Sequence, residues 1–534
     1  MSTLRLGRRT VALFLTLLAA AAVWSPMPGA ATGAAGGPAR PGTRPAGRPH
    51  AGPAPTSPRP VGADLRVAAP HGQRIDGFGV SGGWWPTALG RFPGPAQQEL
   101  GELLFSASGL RVSQYRYNIG GGGVGVTDSY KAPPTFLGPS GSYDWNADPH
   151  GLGFLQMAAA FGVPQLIGFV NSAPPQFTSN AKSCGGVLRP DQVDAYAAYL
   201  AQVVAHLDTA DHIRLSYVSP MNEPDTSQPT CRQEGMAVPV AERAAVVKAV
   251  ARALAAGPAH TSVIADESSL VGQLLNEAPR WLPAARGAVA VVAHHTYDYP
   301  DPAMLSRVAE LPGTHWATEI CCYDGADFGW QYDPTMTSGL WLARTVFGDL
   351  GTAHDSAFDW WVAASPNVGC DPARVPGCQD RVNAAGRNDG LVYYDPNWQT
   401  DNNDTLYLTK RYWVLAAFSR YVRPGAVVHQ IGGLPSDTQA LAFDHGRYWS
   451  VVAANDSPTR EVDAVIHLPP GASPTGVHAF VTDDRSNMGV ASGTVTDGSV
   501  VVTLLPRSIT SLVLSVRASS RSASRAPARQ GRRT

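Results

Sequence analysis

Apolar residues recur along this chain with two different periods, and the period changes near residue 424. Between residues 72 and 422, short β-type runs alternate with stretches of helical spacing. The runs are Ile75 to Val80, Val112 to Ile119, Pro164 to Val170, Ile213 to Ser219, Ser262 to Asp266, Val289 to His294, Thr314 to Glu319 and Ser356 to Val362. Asp191 to Leu207 places Val193, Tyr196, Ala197, Leu200, Val203 and Val204 on one stripe, and Val240 to Ala256 repeats the pattern, so both read as amphipathic helices. Eight strands alternating with helices over about 350 residues predict an α/β fold, a (β/α)8 TIM barrel over 72–423. An open doubly wound sheet is disfavoured because no Gly-x-Gly-x-x-Gly opens a helix. The run Gly120 to Gly123 follows a strand with no helical stretch behind it, which argues against a phosphate cradle.

Beyond Pro424 helical spacing disappears. Val427 to Ile431, Ala440 to Phe443, Trp449 to Ala453, Ala464 to Leu468, Val477 to Val481, Val500 to Leu505 and Thr510 to Val516 are short alternating runs parted by turn signals such as Gly432-Gly433 and Asp497-Gly498. They predict an antiparallel β-sandwich over 424–516. A further run, Asp64 to Ala68, is expected to cross over and join that sandwich from the segment 63–71.

Composition narrows the setting. Arg5, Arg8 and Arg9, the apolar run Val11 to Val23 and the small residues near Pro28-Gly29-Ala30-Ala31 form the layout of a secretory signal peptide over 1–31. Residues 32–62 are almost entirely Ala, Gly, Pro, Thr, Ser and Arg and read as a disordered linker. The basic tail 517–534 reads the same way. A formal net charge of -1 supplies no global field for nucleic acid or an anionic membrane, so the expected partner is a neutral polysaccharide or oligosaccharide met by a secreted, extracellular monomer. Six cysteines in an exported chain favour disulfides over metal or redox use. Cys370 and Cys378 bracket one short loop, and Cys184 with Cys231 can tie two loops. Adjacent Cys321 and Cys322 can form a vicinal bridge, find separate partners or stay free.

Candidate chemistry rests on two acids. Glu223 lies in Val218-Ser219-Pro220-Met221-Asn222-Glu223-Pro224 and Glu319 in His315-Trp316-Ala317-Thr318-Glu319-Ile320, each ending a β-type run. They follow the fourth and seventh strands, where a barrel opens its pocket, and two facing carboxylic acids are what glycoside cleavage requires. His294 and His295 are neighbours on a strand and point to opposite faces, which disfavours a shared metal ion. No cofactor is expected. Trp84, Trp85, Trp330, Trp360 and Trp361 lie at or beyond strand ends, where indole faces can stack on sugar rings or close the core.

Over roughly residues 72 to 516 the chain resembles family 30 of the retaining glycoside hydrolases. The resemblance rests on Ile75-Asp76-Gly77-Phe78-Gly79, Arg116-Tyr117-Asn118-Ile119-Gly120, Ser219-Pro220-Met221-Asn222-Glu223-Pro224, His295-Thr296-Tyr297 and Ala317-Thr318-Glu319, in that order. It implies a (β/α)8 barrel carrying a sandwich of C-terminal strands plus one N-terminal strand, with Glu223 as acid/base and Glu319 as nucleophile. Glu223 must hold a proton when substrate arrives and Glu319 must stay charged, a state Arg116 would favour unless that arginine is only a structural ion pair. Asn222 is similar to the asparagine that bonds the sugar 2-hydroxyl. Asn118, Asn171, His295 and Tyr297 are expected to line the pocket with Trp84, Trp85, Trp360 and Trp361. Arg116 to Gly123 and Trp84-Trp85 most resemble enzymes that cut β-1,6-linked galactan side chains of arabinogalactans. Other family activities compete: β-1,6-glucanase, exo-acting galactosidase or galactobiohydrolase, and β-xylanase, the last suggested by Arg374, Arg381 and Arg387. Many relatives carry a tryptophan near Asn171, so the subsites at that strand end can differ. A non-catalytic carbohydrate-binding protein on the same scaffold would not need both acids.

Overall fold

The computed structural model describes residues 59–323 and 329–517. The expected signal peptide, the linker up to residue 58 and the tail beyond Arg517 lie outside the described residues. Among the described residues no helix is long and apolar enough to cross a membrane.

Eight parallel strands close into a barrel: Gly77–Ser81, Gln114–Asn118, Gln165–Phe169, Tyr217–Ser219, Ser262–Ser268, Val291–His295, His315–Glu319 and Ala357–Trp360. The eighth pairs with the first, Phe358 opposite Phe78, which completes the ring. A helix follows each strand: Gly94–Phe105, Pro149–Ala160, Val193–Thr209, Val240–Ala255, Val271–Trp281, Pro302–Val308, Met336–Gly351 and Lys410–Ser419. Several starts are written locally. Asp148 accepts from the Gly151 amide ahead of Pro149, and Asp301 accepts from Met304 ahead of Pro302. The proline in each case costs nothing, since the first amides of a helix have no intrahelical partner.

The fourth strand is shorter than the run Ile213 to Ser219 suggested, because the Ile213 amide bonds the Leu207 carbonyl at the end of the preceding helix rather than a neighbouring strand. The fifth is longer, reaching Ser268 through a register shift between Asp266 and Ser268. Inside the barrel an apolar plug of Ile167, Ile264, Val291, Ala293, Trp316 and Ala357 fills the lower layer. Burial of each large aliphatic chain there stabilises the fold by roughly 1.5–3 kcal/mol. Above the plug the interior turns polar.

Ten strands build the second module, in the order Gly489–Ala491, Ser473–Thr482, Ser508–Arg517, Tyr448–Asn455, Thr438–Asp444, Val427–Gly432, Val61–Val67, Val462–His467, Ser499–Leu504 and Gly493–Thr496. Its core joins Leu65 and Val67 to Ala440, Val451, Ala464, Ile466, Val500 and Leu512. The N-terminal strand begins at Val61, so Val61 and Gly62 leave the stretch read as linker; alternation of Ala63, Leu65 and Val67 inward draws them in. It runs parallel to Val462–His467, the one parallel pair in this sheet, and antiparallel to Val427–Gly432. The last strand includes Arg517, where the tail was expected to start. The two edge strands Gly489–Ala491 and Gly493–Thr496 are absent from the sequence reading, since each alternates too few apolar residues to register.

All six cysteines are paired: Cys184 with Cys231, Cys370 with Cys378, and Cys321 with its neighbour Cys322. Cys184 and Cys231, with Cα atoms 5.2 Å apart, tie the loops that follow the third and fourth barrel strands. Replacing both by serine should lower unfolding stability by about 2–4 kcal/mol, the effect of releasing a loop of this size in the unfolded chain. Denaturant unfolding reads it, and a midpoint unchanged from wild type would show that the tie contributes nothing.

Candidate active site

The polar layer over the plug is assembled by strand alternation and two bulges. Arg116 on the second strand points inward, fully buried, with its guanidinium 4.5 Å from the Phe169 ring centroid. Its Nη1 donates to Ser81 Oγ (2.9 Å), the Thr318 carbonyl (2.9 Å) and Glu319 Oε2 (3.0 Å), and its Nη2 to Asn222 Oδ1 (3.3 Å) and Glu267 Oε2 (3.4 Å). On the sixth strand His294 faces outward to Asp355 at 3.0 Å, whereas His295 faces in. The two histidines part as neighbours on a strand must.

Glu223 and Glu319 meet across this layer. Glu319 is nearly buried and takes a second bond from the Tyr297 hydroxyl at 2.9 Å. Glu223 keeps 15% of its side chain exposed and receives Gln228 Nε2 at 3.2 Å. One oxygen of each acid and one ring nitrogen of His295 lie within 4.8 Å of one another. That spacing suits a cation's ligands as well as a catalytic pair. The Nε2 of His295 sits 2.9 Å from Glu267 and 3.7 Å from Glu319, and its Nδ1 3.5 Å from Glu223. Burial disfavours a charged ring, but Glu319, Glu223 and Glu267 together outweigh it and raise its pKa to about 10.

Electrostatics of the layer balance around two cations. Burial pushes Glu267 up, yet Arg116, His295 and the Thr318 hydroxyl (2.7 Å) hold its pKa at about 2. Burial also moves Glu319 above the ordinary carboxylate value, with Glu223 adding to the rise; His295 and Arg116 pull the other way. The expected role of Arg116 beside Glu319 is therefore one of opposition to burial. Asp359 on the eighth strand, buried and without a hydrogen-bond partner, rises to about 8 by burial in spite of Arg116. With Asp359 neutral, Arg116 and His295 match Glu267 and Glu319 charge for charge.

Around the acids, Asn222 hands its Nδ2 to Asn171 Oδ1 at 2.9 Å, while neither amide atom of the buried Asn118, nor Asn171 Nδ2, nor Trp84 Nε1 has a partner within the chain. Buried polar groups are rarely left so, and unsatisfied donors facing one mouth suit a hydroxyl-rich ligand. Trp84 lies edge to face with Trp361 at 4.9 Å, under the Lys131 ammonium at 4.4 Å. Trp85 and Trp360 are corrections. Trp85, which opens the short helix Trp85–Leu89, donates to the Ser81 carbonyl and packs on Phe154, and Trp360, the last residue of the eighth strand, donates to the Asp389 carbonyl beside Trp341. His295 lies fully buried among Glu223, Glu267 and Glu319. Trp330 stands 52% exposed near Arg387. Arg374 lies across Asp371 and Asp401, at 3.2 and 3.4 Å, and Arg381 bonds the Gly377 carbonyl.

Three features had not been foreseen. A fifth run ending at Asp266 leaves out Glu267, although Asp266-Glu267 closes an apolar run just as Glu223 and Glu319 do. Asp359, an acid inside the run Ser356 to Val362, carried a visible signal. Glu234 had none: it reaches Gly121 and Gly123 amides at 3.1 and 2.8 Å, and burial raises its pKa to about 8. The glycine run thus cradles an acid of this same chain. Backbone strain gathers here too, with Trp84, Glu223, Glu267 and Val362 at φ of 67°, 45°, 62° and 38°. Non-glycine residues in that region cost on the order of 1–3 kcal/mol each and collect at functional sites.

Comparison with known proteins bears on the family and the fold. Residues 65–279, which include Glu223 and end before Glu319, match the model of O-glycosyl hydrolase family 30. A conserved exported protein from Bacteroides fragilis is similar at 21% identity and a TM-score of 0.71, covering 84% of this chain and 99% of that one. The catalytic domain of a family 30 xylanase C from Talaromyces cellulolyticus follows at 22% and 0.67, covering 85% and 100%. An endo-β-1,6-glucanase is similar at 17% and 0.63, covering 85% and 94%. At these identities the solved structures bear on the fold.

Proposed function

We propose, from the premise that this chain belongs to O-glycosyl hydrolase family 30, that it is a secreted retaining glycosidase that cleaves β-1,6-linked galactan by double displacement. One observation carries the mechanism. Oxygens of Glu223 and Glu319 approach within 4.8 Å, near the roughly 5–5.5 Å between carboxyl groups of retaining pairs and short of the roughly 6.5–9.5 Å that leaves room for an inverting water.

Glu319, fixed through both oxygens by Arg116 and Tyr297, attacks the anomeric carbon as Glu223 protonates the departing oxygen. A covalent glycosyl-enzyme results. Glu223 then takes a proton from water, which displaces Glu319 and restores the starting configuration. Asn222, held between Arg116 and Asn171, is placed for the sugar 2-hydroxyl, and the unpaired amide groups of Asn118 and Asn171 with the Trp84 indole N–H supply further bonds to the ring. Secretion is supported by the three disulfides and the N-terminal signal pattern.

The sugar rests on the likeness of Arg116 to Gly123 and of Trp84-Trp85, and Trp84, at the mouth beside Trp361, fits a stacking role there. Incubation with defined β-1,6-galactan, β-1,6-glucan and xylan, with products resolved by size and anomer, tests it. Galactan should be cut to mixed oligomers with the β-anomer formed first. Cleavage of xylan or glucan alone would overturn the sugar, and a first-formed α-anomer would overturn the mechanism.

A further inference from the structure

Double displacement moves one negative charge between two groups, and a single buried cation touches both. Before the first step the charge is on Glu319. The new bond from Glu319 to the anomeric carbon consumes it, the glycosidic C–O bond breaks, and Glu223 loses its proton to the leaving oxygen and becomes the anion. The second step returns the charge as water adds and the ester bond breaks. His295 lies between the two acids, Nε2 3.7 Å from Glu319 and Nδ1 3.5 Å from Glu223, but its one short bond is to a third acid, Glu267, at 2.9 Å.

Glu267 is built to hold that ring. The register shift between Asp266 and Ser268 turns its side chain into the barrel, at a φ of 62°. Its Oε2 also collects Thr318 Oγ1 at 2.7 Å and Arg116 Nη2 at 3.4 Å, and it is fully buried. The other groups about His295 are the Tyr297 ring, edge-on at 5.9 Å, Arg116 and Asp359, which both interact with Glu267, and His294, which turns away to Asp355.

Resting on the retaining reading above, we propose that Glu267 is a positioning residue that keeps His295 as an imidazolium bridging Glu223 and Glu319, so that one fixed cation stabilises the negative charge on either acid as it changes owner. A neutral ring would fail in this place. One nitrogen would present a lone pair, and the acid it faced would meet repulsion in place of a donor whenever that acid carried the charge. The pKa of His295, raised to about 10, agrees with the geometry.

Two measurements test it. Nitrogen-15 NMR of His295, assigned by the signal lost in His295→Gln, needs no substrate. The ring should stay doubly protonated at pH 8 in the wild type and become neutral there in Glu267→Gln, with Glu267→Asp restoring the charge. A neutral ring in the wild type at pH 8 overturns the proposal even if no variant folds. Kinetics use an aryl glycoside of the sugar that the wild type cuts, with the burst reading the first step and the steady state the second. Glu267→Gln should slow both by on the order of 10²-fold, the size of a lost preorganised donor, with KM little changed and the alkaline limb of kcat moved to lower pH. Wild-type rates and pH profile in that variant, or slowing of one step alone, overturn the bridging role. A wild type that cuts no glycan refutes the hydrolase reading instead, and the NMR result stands apart from it.

Discussion

Glu319→Gln is expected to depress glycan hydrolysis by roughly 10⁴- to 10⁶-fold, the scale of loss when the nucleophile of a covalent hydrolase is removed. The amide keeps the bonds from Arg116 and Tyr297 approximately in place but cannot form the ester. Glu319→Ala opens a gap on the same face of the sugar, and azide should enter it, restoring turnover and releasing a glycosyl azide of inverted configuration. Glu223→Ala makes the complementary case. With an activated leaving group the first step survives, azide then takes the place of the general base's water, and the azide product keeps the starting configuration. Product anomers read by NMR distinguish the two acids without any assumption about the natural substrate. Near-normal activity in Glu319→Gln, or the same product from both alanine variants, would overturn the assignment of roles.

Arg116→Met should cost about 3–5 kcal/mol of folding stability, the penalty of removing one partner from a buried charge cluster. Arg116 is buried, as are Glu267 and Glu319, and among the described residues no other guanidinium or ammonium bonds either acid. The variant leaves His295 as the sole cation for both. Methionine fills much of the volume over Phe169, so the loss reports charge more than packing. Urea unfolding at neutral pH measures it. A midpoint within about 1 kcal/mol of wild type would show that the layer is not balanced by Arg116, since exposed ion pairs contribute no more than that.

All eight barrel strands were legible in the sequence because each is buried on both sides and so reads as a nearly continuous apolar run, with helical spacing between. The acids were legible for a related reason: a carboxylate that ends such a run has to lie at the barrel mouth. Legibility failed where the determinant was distant or local alternation was weak. Glu267 enters the site only because a bulge adds a residue to its strand, and Thr318 with Glu319 enter together through a second register shift between Ala317 and Glu319. Period-two reasoning places only one of two neighbours inside. Trp84 against Trp85, and Trp360 against Trp361, are inseparable in sequence, yet Trp84 and Trp361 meet edge to face while Trp85 and Trp360 each bond a backbone carbonyl elsewhere in the core. Glu234 caps the glycine run from 111 residues away, a contact no local pattern announces.

The strand Val61–Val67 sits in the interior of the ten-strand order, its parallel partner Val462–His467 lying some four hundred residues later in the chain. At synthesis rates of about 5–20 residues per second, roughly 20 to 80 s separate the emergence of the two. Throughout that interval an alternating, pairing-competent segment has no sheet to join, and the barrel between them is made first. A cut at residue 72 would thus part the last-folding sheet from a strand in its middle, and this chain cannot be divided into a catalytic half and an accessory half along the line where its texture changes. Among the described residues, the first strand to be synthesised is also among the last to find its place.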